Sequence, residues 1–214
     1  MPRIYAACLA SYNNGVLHGR WIEASSDVDE MQDEINAMLR ESKFPNVIRQ
    51  DYLCEPCGET EVFTVSYDEV PDGERLCPHC GEKMKPGAWY GSAEEWAMHD
   101  SEDLPSYFGE YPGLQAIADY VEFLEDHDEH DEDDLRAIFE EFRDPSEADN
   151  AMRNDFLSIC ERFRDYADDV ADDILSECNS ETAKQYFDFE AFARDLQHDY
   201  RVIDVPSGVA IFNN

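Results

Sequence analysis

A formal net charge of −35 on 214 residues sets like charges against one another in any compact state this chain could adopt. Self-repulsion on that scale works against folding, so either the chain stays open or the charge serves something outside the fold. Apolar content decides between the two. Acidic disordered chains are poor in aromatic and β-branched residues, whereas here 43% of residues are hydrophobic, 12% are aromatic, and the apolar positions recur with regular periods. The chain is therefore expected to fold, which leaves its 51 Asp and Glu, against 16 Lys and Arg, in need of a functional reading.

The surplus is uneven. Residues 1–90 hold 16 acids and 8 bases, a net of −8, and residues 91–214 hold 35 acids and 8 bases, a net of −27. The densest run is Glu125–Asp134, in which eight of ten residues are acidic. Apolar stretches break far short of the roughly 20 residues that a spanning helix needs. The opening MPRIYAACLASYNNG lacks the charged and apolar regions of a secretory signal. A cytoplasmic protein with no membrane partner is the expectation, since an anionic lipid surface would repel it.

Periodicity outlines the elements. Arg3–Tyr12 and Val16–Glu23 read as strands joined by a tight turn at Asn13-Asn14-Gly15. Ser25-Ser26-Asp27 offers helix caps, and Val28, Met31, Ile35, Met38 and Leu39 follow a helical period to about Ser42. Ser92–Met98 reads as a further strand. Beyond Gly109 the chain turns mainly helical, with apolar stripes at Leu114, Ile117, Ala118, Val121 and Leu124, and at Leu135, Ile138, Phe139 and Phe142. A long helix is expected over Ala148–Cys178, then a helix over Phe189–Leu196 and a hairpin of Tyr200–Val205 and Val209–Phe212 turned by Pro206-Ser207-Gly208.

Between Asp51 and Pro86 a cysteine module interrupts this order. Its pattern is Cys54-Glu-Pro-Cys57, nineteen residues, then Cys77-Pro-His-Cys80, with Gly58 and Gly81 directly after each pair and a strand pattern over Glu61–Tyr67. Two residues between paired cysteines let a knuckle turn aim both thiolates at one ion, and two knuckles complete the tetrahedron that Zn²⁺ prefers. The module reads as an inserted zinc ribbon. With Cys54, Cys57, Cys77 and Cys80 all used as ligands, the zinc is expected to be structural. The remaining Cys8, Cys160 and Cys178 are scattered singles on apolar positions and suit a reducing compartment.

The acids fall on helix faces. Asp119, Glu122, Glu125 and Asp126 lie mostly outside the first apolar stripe, and Asp128, Glu129, Asp131, Glu132, Asp133 and Asp134 complete the dense run. Glu161, Asp165, Asp168, Asp169, Asp172 and Asp173 recur in steps of three and four along the expected long helix. Acids one turn apart are separated by about 5.4 Å, the scale of a phosphate row. Duplex DNA carries one charge per roughly 1.7 Å of axis, so the surplus matches the charge on about 60 Å of duplex. A rigid carboxylate array of this kind would release the counterions of a DNA-binding groove and lose affinity steeply as salt rises.

Catalytic patterns are weak. Suitably spaced carboxylate pairs arise by chance among so many acids. The run His127–Asp134 lacks the central Gly and terminal Glu of a calcium loop, no HExxH occurs, and there is no phosphate-binding glycine loop. No enzymatic activity is expected.

The block Ile4–Ile22, IYAACLASYNNGVLHGRWI, closely resembles the start of the ArdA antirestriction proteins of plasmids, transposons and phages. Further similarities follow in order at Glu94–Asp100, at Gly109–Pro112 with Leu114, at Phe189–Leu196 and in the closing hairpin to Phe212. The resemblance implies an elongated α+β protein of three small domains that dimerises and mimics bent DNA. Such a mimic would occupy the DNA groove of type I restriction and modification enzymes, competing with DNA at the methyltransferase core, and so protect mobile DNA. The expected domains are 1–109 with the ribbon inserted at 51–86, an acidic helical middle at 110–147, and 148–214, whose apolar surface would pair two chains. The ribbon departs from the compact members of the family, and the acidic run is longer than is typical of them. A second reading stays open, in which an acidic zinc-ribbon adaptor binds a basic DNA-binding or transcription protein without imitating DNA.

Overall fold

The computed structural model describes residues 1–66 and 74–214, with the backbone only at Ser66, so Tyr67 at the end of the expected ribbon strand lies outside the described residues. The chain is α+β and forms two compact units, one of residues 1–102 with 109–115, the other of 103–108 with 116–214.

The first unit opens with β1 (Arg3–Cys8), a short α1 (Leu9–Asn13), β2 (Gly19–Glu23) and α2 (Val28–Arg40). β3 (Val47–Leu53), β4 (Thr60–Ser66), β5 (Lys85–Ser92) and β6 (Trp96–Glu102) follow. Two antiparallel sheets result, ordered β2-β1-β6 and β4-β3-β5. α2 lies on the first sheet and buries Met31, Ile35, Met38 and Leu39 beside Ile4, Ala6 and Ile22. Asp27 caps it by accepting the amides of Asp29 and Glu30, which places a carboxylate at the positive end of the helix dipole.

The expected opening hairpin is corrected. β1 stops at Cys8, whose Sγ accepts the Ser11 amide at 3.4 Å and starts a helical turn. Asn14 and Gly15 then end that turn, with the Gly15 amide on the Tyr12 carbonyl and a φ of 73°. An Asn-Gly pair suits a helix C-terminus as well as a hairpin because both need left-handed backbone. The two strands still pair, Arg3 opposite Glu23 and Ala7 opposite Gly19. The strand expected over Ser92–Met98 is also divided, its ends lying in β5 and β6 of different sheets.

The second unit contains most of α3 (Leu114–Asp126), then α4 (Glu132–Phe142), α5 (Pro145–Asn154), β7 (Phe156–Cys160) and α6 (Phe163–Ser176). It closes with α7 (Glu181–Gln185), α8 (Phe189–Leu196), β8 (Tyr200–Val205) and β9 (Gly208–Asn213). The sheet order is β7-β9-β8. One face carries α6 and α8 through Phe163, Ala167, Ala193 and Ile211. α4 packs on the other, where Phe142 meets Phe212 at 5.8 Å and the Arg201 guanidinium lies 3.9 Å over the Phe142 ring.

The single helix expected over Ala148–Cys178 is therefore α5, β7 and α6. Phe156, Ile159, Cys160 and Phe163 satisfy a helical spacing, but a short apolar run is ambiguous by period alone. Pairing with β9, Phe156 opposite Phe212 and Cys160 opposite Val209, decides it. Cys160 thus sits half-buried in a strand and Cys178 beyond the end of α6, neither on a helix face.

At the β8–β9 turn Gly208 has φ 146°, and a Cβ there would meet the Cys160 carbonyl oxygen at 2.1 Å. Gly208→Ala is expected to cost about 1–3 kcal/mol of stability, read from the denaturant midpoint, with α8 and α2 helicity retained below the transition.

Candidate functional site

The residues singled out from the sequence form two features: a group of four thiols and a set of carboxylates.

The thiols are assembled by two matching turns. After Cys54 the Gly58 amide donates to the Cys54 carbonyl at 2.8 Å, and the Cys54 amide to the Glu59 carbonyl at 2.8 Å. After Cys77 the Gly81 amide donates to the Cys77 carbonyl at 2.9 Å, and the Cys77 amide to the Glu82 carbonyl at 2.7 Å. Gly58 and Gly81 take φ values of 77° and 76°, which closes each turn behind its second cysteine. β3 delivers the first turn, and a bridge between Leu76 and Lys83 closes the second. Tyr52, Met84 and Phe63 pack behind the cluster, and Arg75 stacks 3.5 Å over the Phe63 ring.

All four Sγ atoms lie within 4.8 Å of one another. Cys54 and Cys80 are 3.4 Å apart, Cys57 and Cys77 3.6 Å, and Cys57 and Cys80 3.7 Å. A tetrahedron with metal–sulfur bonds of about 2.3 Å has edges of about 3.8 Å. The separations fit that figure and are well beyond the roughly 2 Å of a disulfide. Cys54 and Cys77 are buried while Cys57 and Cys80 are exposed. The Cys80 amide, aided by that of His79, brings the Cys77 thiol down to about 7 against the opposing effect of its burial. Burial, reinforced by the neighbouring thiols, pushes Cys54 up to about 12. A dication at the centre would stabilise both as thiolates, so the donor set fits a metal of the zinc type.

The carboxylates singled out from the sequence are placed as follows. Glu122, Glu125, Asp126, Asp128, Glu129, Asp131, Glu132 and Asp133 are exposed on α3, α4 and the turn between them. Glu161 precedes α6, Asp165 and Asp168 are half-buried on it, and Asp169, Asp172 and Asp173 are exposed along it. Asp119 is half-buried on α3. With Glu122 and Asp126 it lines a cleft of about 530 Å³ whose other wall is Asp144, Ser146 and Asp149. Arg153 spans this cleft, bonding Asp149 at 2.7 Å and Asp126 at 2.6 Å. Asp144 and Asp149 escape the helix-face pattern, although Asp144 before Pro145 is a recognisable helix start, and its side chain does accept the Glu147 amide. Arginines hold several of the others: Arg136 pairs with Asp133, Arg162 with Asp165 and Arg164 with Asp168.

Asp134 is different. It is 3% exposed, and its carboxylate accepts from both the amide and the hydroxyl of Ser207 at the β8–β9 turn. It therefore ties α4 to that turn and stands apart from the surface array. The acidic run that contains it does not form one continuous exposed face.

Residues 4–210 match the family described as antirestriction protein (ArdA). The chain belongs to the ArdA family. Membership gives it an antirestriction function, and the cysteine module at β3–β5 lies inside the matched span. A search of the curated proteins returns no match. Among the described residues no helix is long and apolar enough to cross a membrane.

Asp134→Ala removes the acceptor of two Ser207 donors and is expected to cost about 1–3 kcal/mol in a denaturant series. Asp172→Asn, on the exposed face of α6, should stay within about 0.5 kcal/mol.

Proposed function

We propose that the protein blocks restriction by mimicking DNA, occupying the DNA groove of a type I restriction and modification enzyme and competing with duplex at its methyltransferase core. The observation that carries this reading is the exposure of carboxylates one helical turn apart, Asp169, Asp172 and Asp173 on α6 and Glu122, Glu125 and Asp126 on α3, in a folded chain of net charge −35. Such a surface offers a cationic groove the counterion release that it gains from phosphates. It would protect mobile DNA inside the cytoplasm without itself binding nucleic acid, and without chemistry.

Within this reading residues 1–109 carry the ribbon, 110–147 the densest acid and 148–214 a pairing surface for a homodimer. Leu157, Ile174 and Tyr186, which are 39%, 53% and 78% exposed, supply apolar area for that pairing. Cys54, Cys57, Cys77 and Cys80 hold one structural Zn²⁺, which closes the ribbon and takes no part in the decoy.

Competition tests the decoy. In low salt a type I methyltransferase should bind the protein, duplex DNA should displace it, and affinity should fall steeply as salt rises. Binding that duplex does not displace would refute mimicry and favour the adaptor reading. Replacing Asp168 and Asp169 by Asn should weaken binding by less than about tenfold, because screened surface charges act collectively.

For the metal, freshly purified protein should contain one equivalent of zinc per chain, lost on chelation and as pH falls, since the ligands bind as thiolates. Less than about half an equivalent would sink the four-ligand assignment.

A further inference from the structure

We propose that the first unit holds a binding site for a cationic side chain, an arginine of the partner protein, in a cleft where α1, β6 and the segment after Gly109 meet. The cleft encloses about 470 Å³ and is lined by Leu9, Tyr12, Asn13, His99, Glu110 and Tyr111. Aromatic rings around one carboxylate are the chemistry that takes a guanidinium, whose plane lies on ring faces while its fork reaches the acid.

The backbone holds these groups in place. Tyr12 is carried by the helical turn that Cys8 caps. His99 owes its position to a bulge: Tyr5 of β1 opposes Asp100 and Ala6 opposes Met98, so His99 is the extra residue of β6. Bulges commonly re-aim a side chain in this way. The Tyr12 and His99 rings meet edge to face, 4.9 Å apart at 83°, forming two walls of a corner. The Met98 amide donates to the Glu110 carbonyl at 2.9 Å and pins Glu110-Tyr111 alongside. Tyr12 is 57% exposed and Tyr111 68%, so the core makes little use of either ring.

Charge selects the occupant. A surface of net charge −35 draws cationic partners, and an acidic residue, Glu110, is among those that line the cleft. A groove that binds DNA presents arginine and lysine to the phosphates. Arginine fits better here than lysine because its plane can stack on a ring while its donors reach Glu110. The donor's identity rests on the decoy reading, whereas the chemistry of the cleft does not.

The first test needs no enzyme. N-acetylargininamide is titrated into the full-length protein at high salt, where diffuse attraction is screened, and the ring resonances are followed by NMR. Saturable shifts at Tyr12, His99 and Tyr111 are expected, together with none from the uncharged N-acetylcitrullinamide. Tyr12→Leu and Tyr111→Ser keep the net charge and should each weaken binding roughly two- to fivefold; Glu110→Gln should weaken it too. Shifts scattered over the acidic helices with the three rings unmoved, or equal binding of the citrulline derivative, would overturn the site. The second test uses the methyltransferase in low salt, where Tyr111→Ser should reduce affinity although no charge is lost. An unchanged affinity would overturn the assignment to the partner's arginine. A small cation bound in the cleft of a protein that the enzyme ignores would count against the decoy and for the cleft.

Discussion

Repulsion among 51 carboxylates is the force that every packed element in this protein has to accommodate. The helices do so partly by turning acids into caps. Asp27, Asp131, Asp144 and Asp188 each sit at the N-terminus of a helix and accept backbone amides there, where the dipole favours negative charge. The few arginines do the rest locally. Arg153 joins α5 to α3 through Asp149 and Asp126, and Arg136 holds both Asp133 and Asp103. Such exposed pairs add little stability singly. Their effect is to set where charge is cancelled, and on α6 Arg162 and Arg164 pair with Asp165 and Asp168, while Asp169, Asp172 and Asp173 are exposed.

The ribbon solves a different problem. Among the described residues the cluster behind its thiols is small, Tyr52 and Met84 buried with two of the cysteines and Phe63 packed against them, and β5 is exposed along most of its length. A core that small does not hold a module together without a staple. A metal across the four thiols is the available staple, since the sulfur separations suit coordination and not disulfides. One side of the sheet is also tethered to α2. Arg49 is 8% exposed and donates to Asn36 at 2.9 Å, while Arg40 stacks 4.5 Å over the Tyr90 ring.

What could be read before the structure follows from how local each signal is. α8 falls on Phe189–Leu196 as the pattern predicts, because its apolar positions have one period, and the structure adds Asp188 as its cap. The two CxxC pairs are equally local, each closed by its own glycine. Sequence pattern and structure part where the same residues satisfy two periods or two turn types. Phe156–Cys160 is a strand only because β9 lies beside it, and Asn14-Gly15 ends a helix only because Cys8 can cap one. Asp134 had no local mark at all. Its partner is Ser207, 73 residues away, so the densest acidic run contains a carboxylate whose role is internal. The Tyr12, His99 and Tyr111 cleft escaped for the same reason, since three separate segments build it.

A diffuse array of carboxylates and a shaped aromatic cleft do different work in recognition. Long-range charge speeds encounter and rejects like-charged partners, but it is tolerant of orientation and fades with salt. A decoy built from charge alone would slide in its groove as nonspecific proteins slide on DNA. Seating one guanidinium between Tyr12, Tyr111 and Glu110 fixes a point of register, and a contact made of rings is less sensitive to salt than the array around it. The backbone bond from Met98 to Glu110 and the bulge at His99 hold that point on a sheet of the first unit rather than on a free loop. Localised contacts of this kind are where interfaces concentrate their binding energy. On the decoy reading the acids would bring the partner in, and the cleft would orient it.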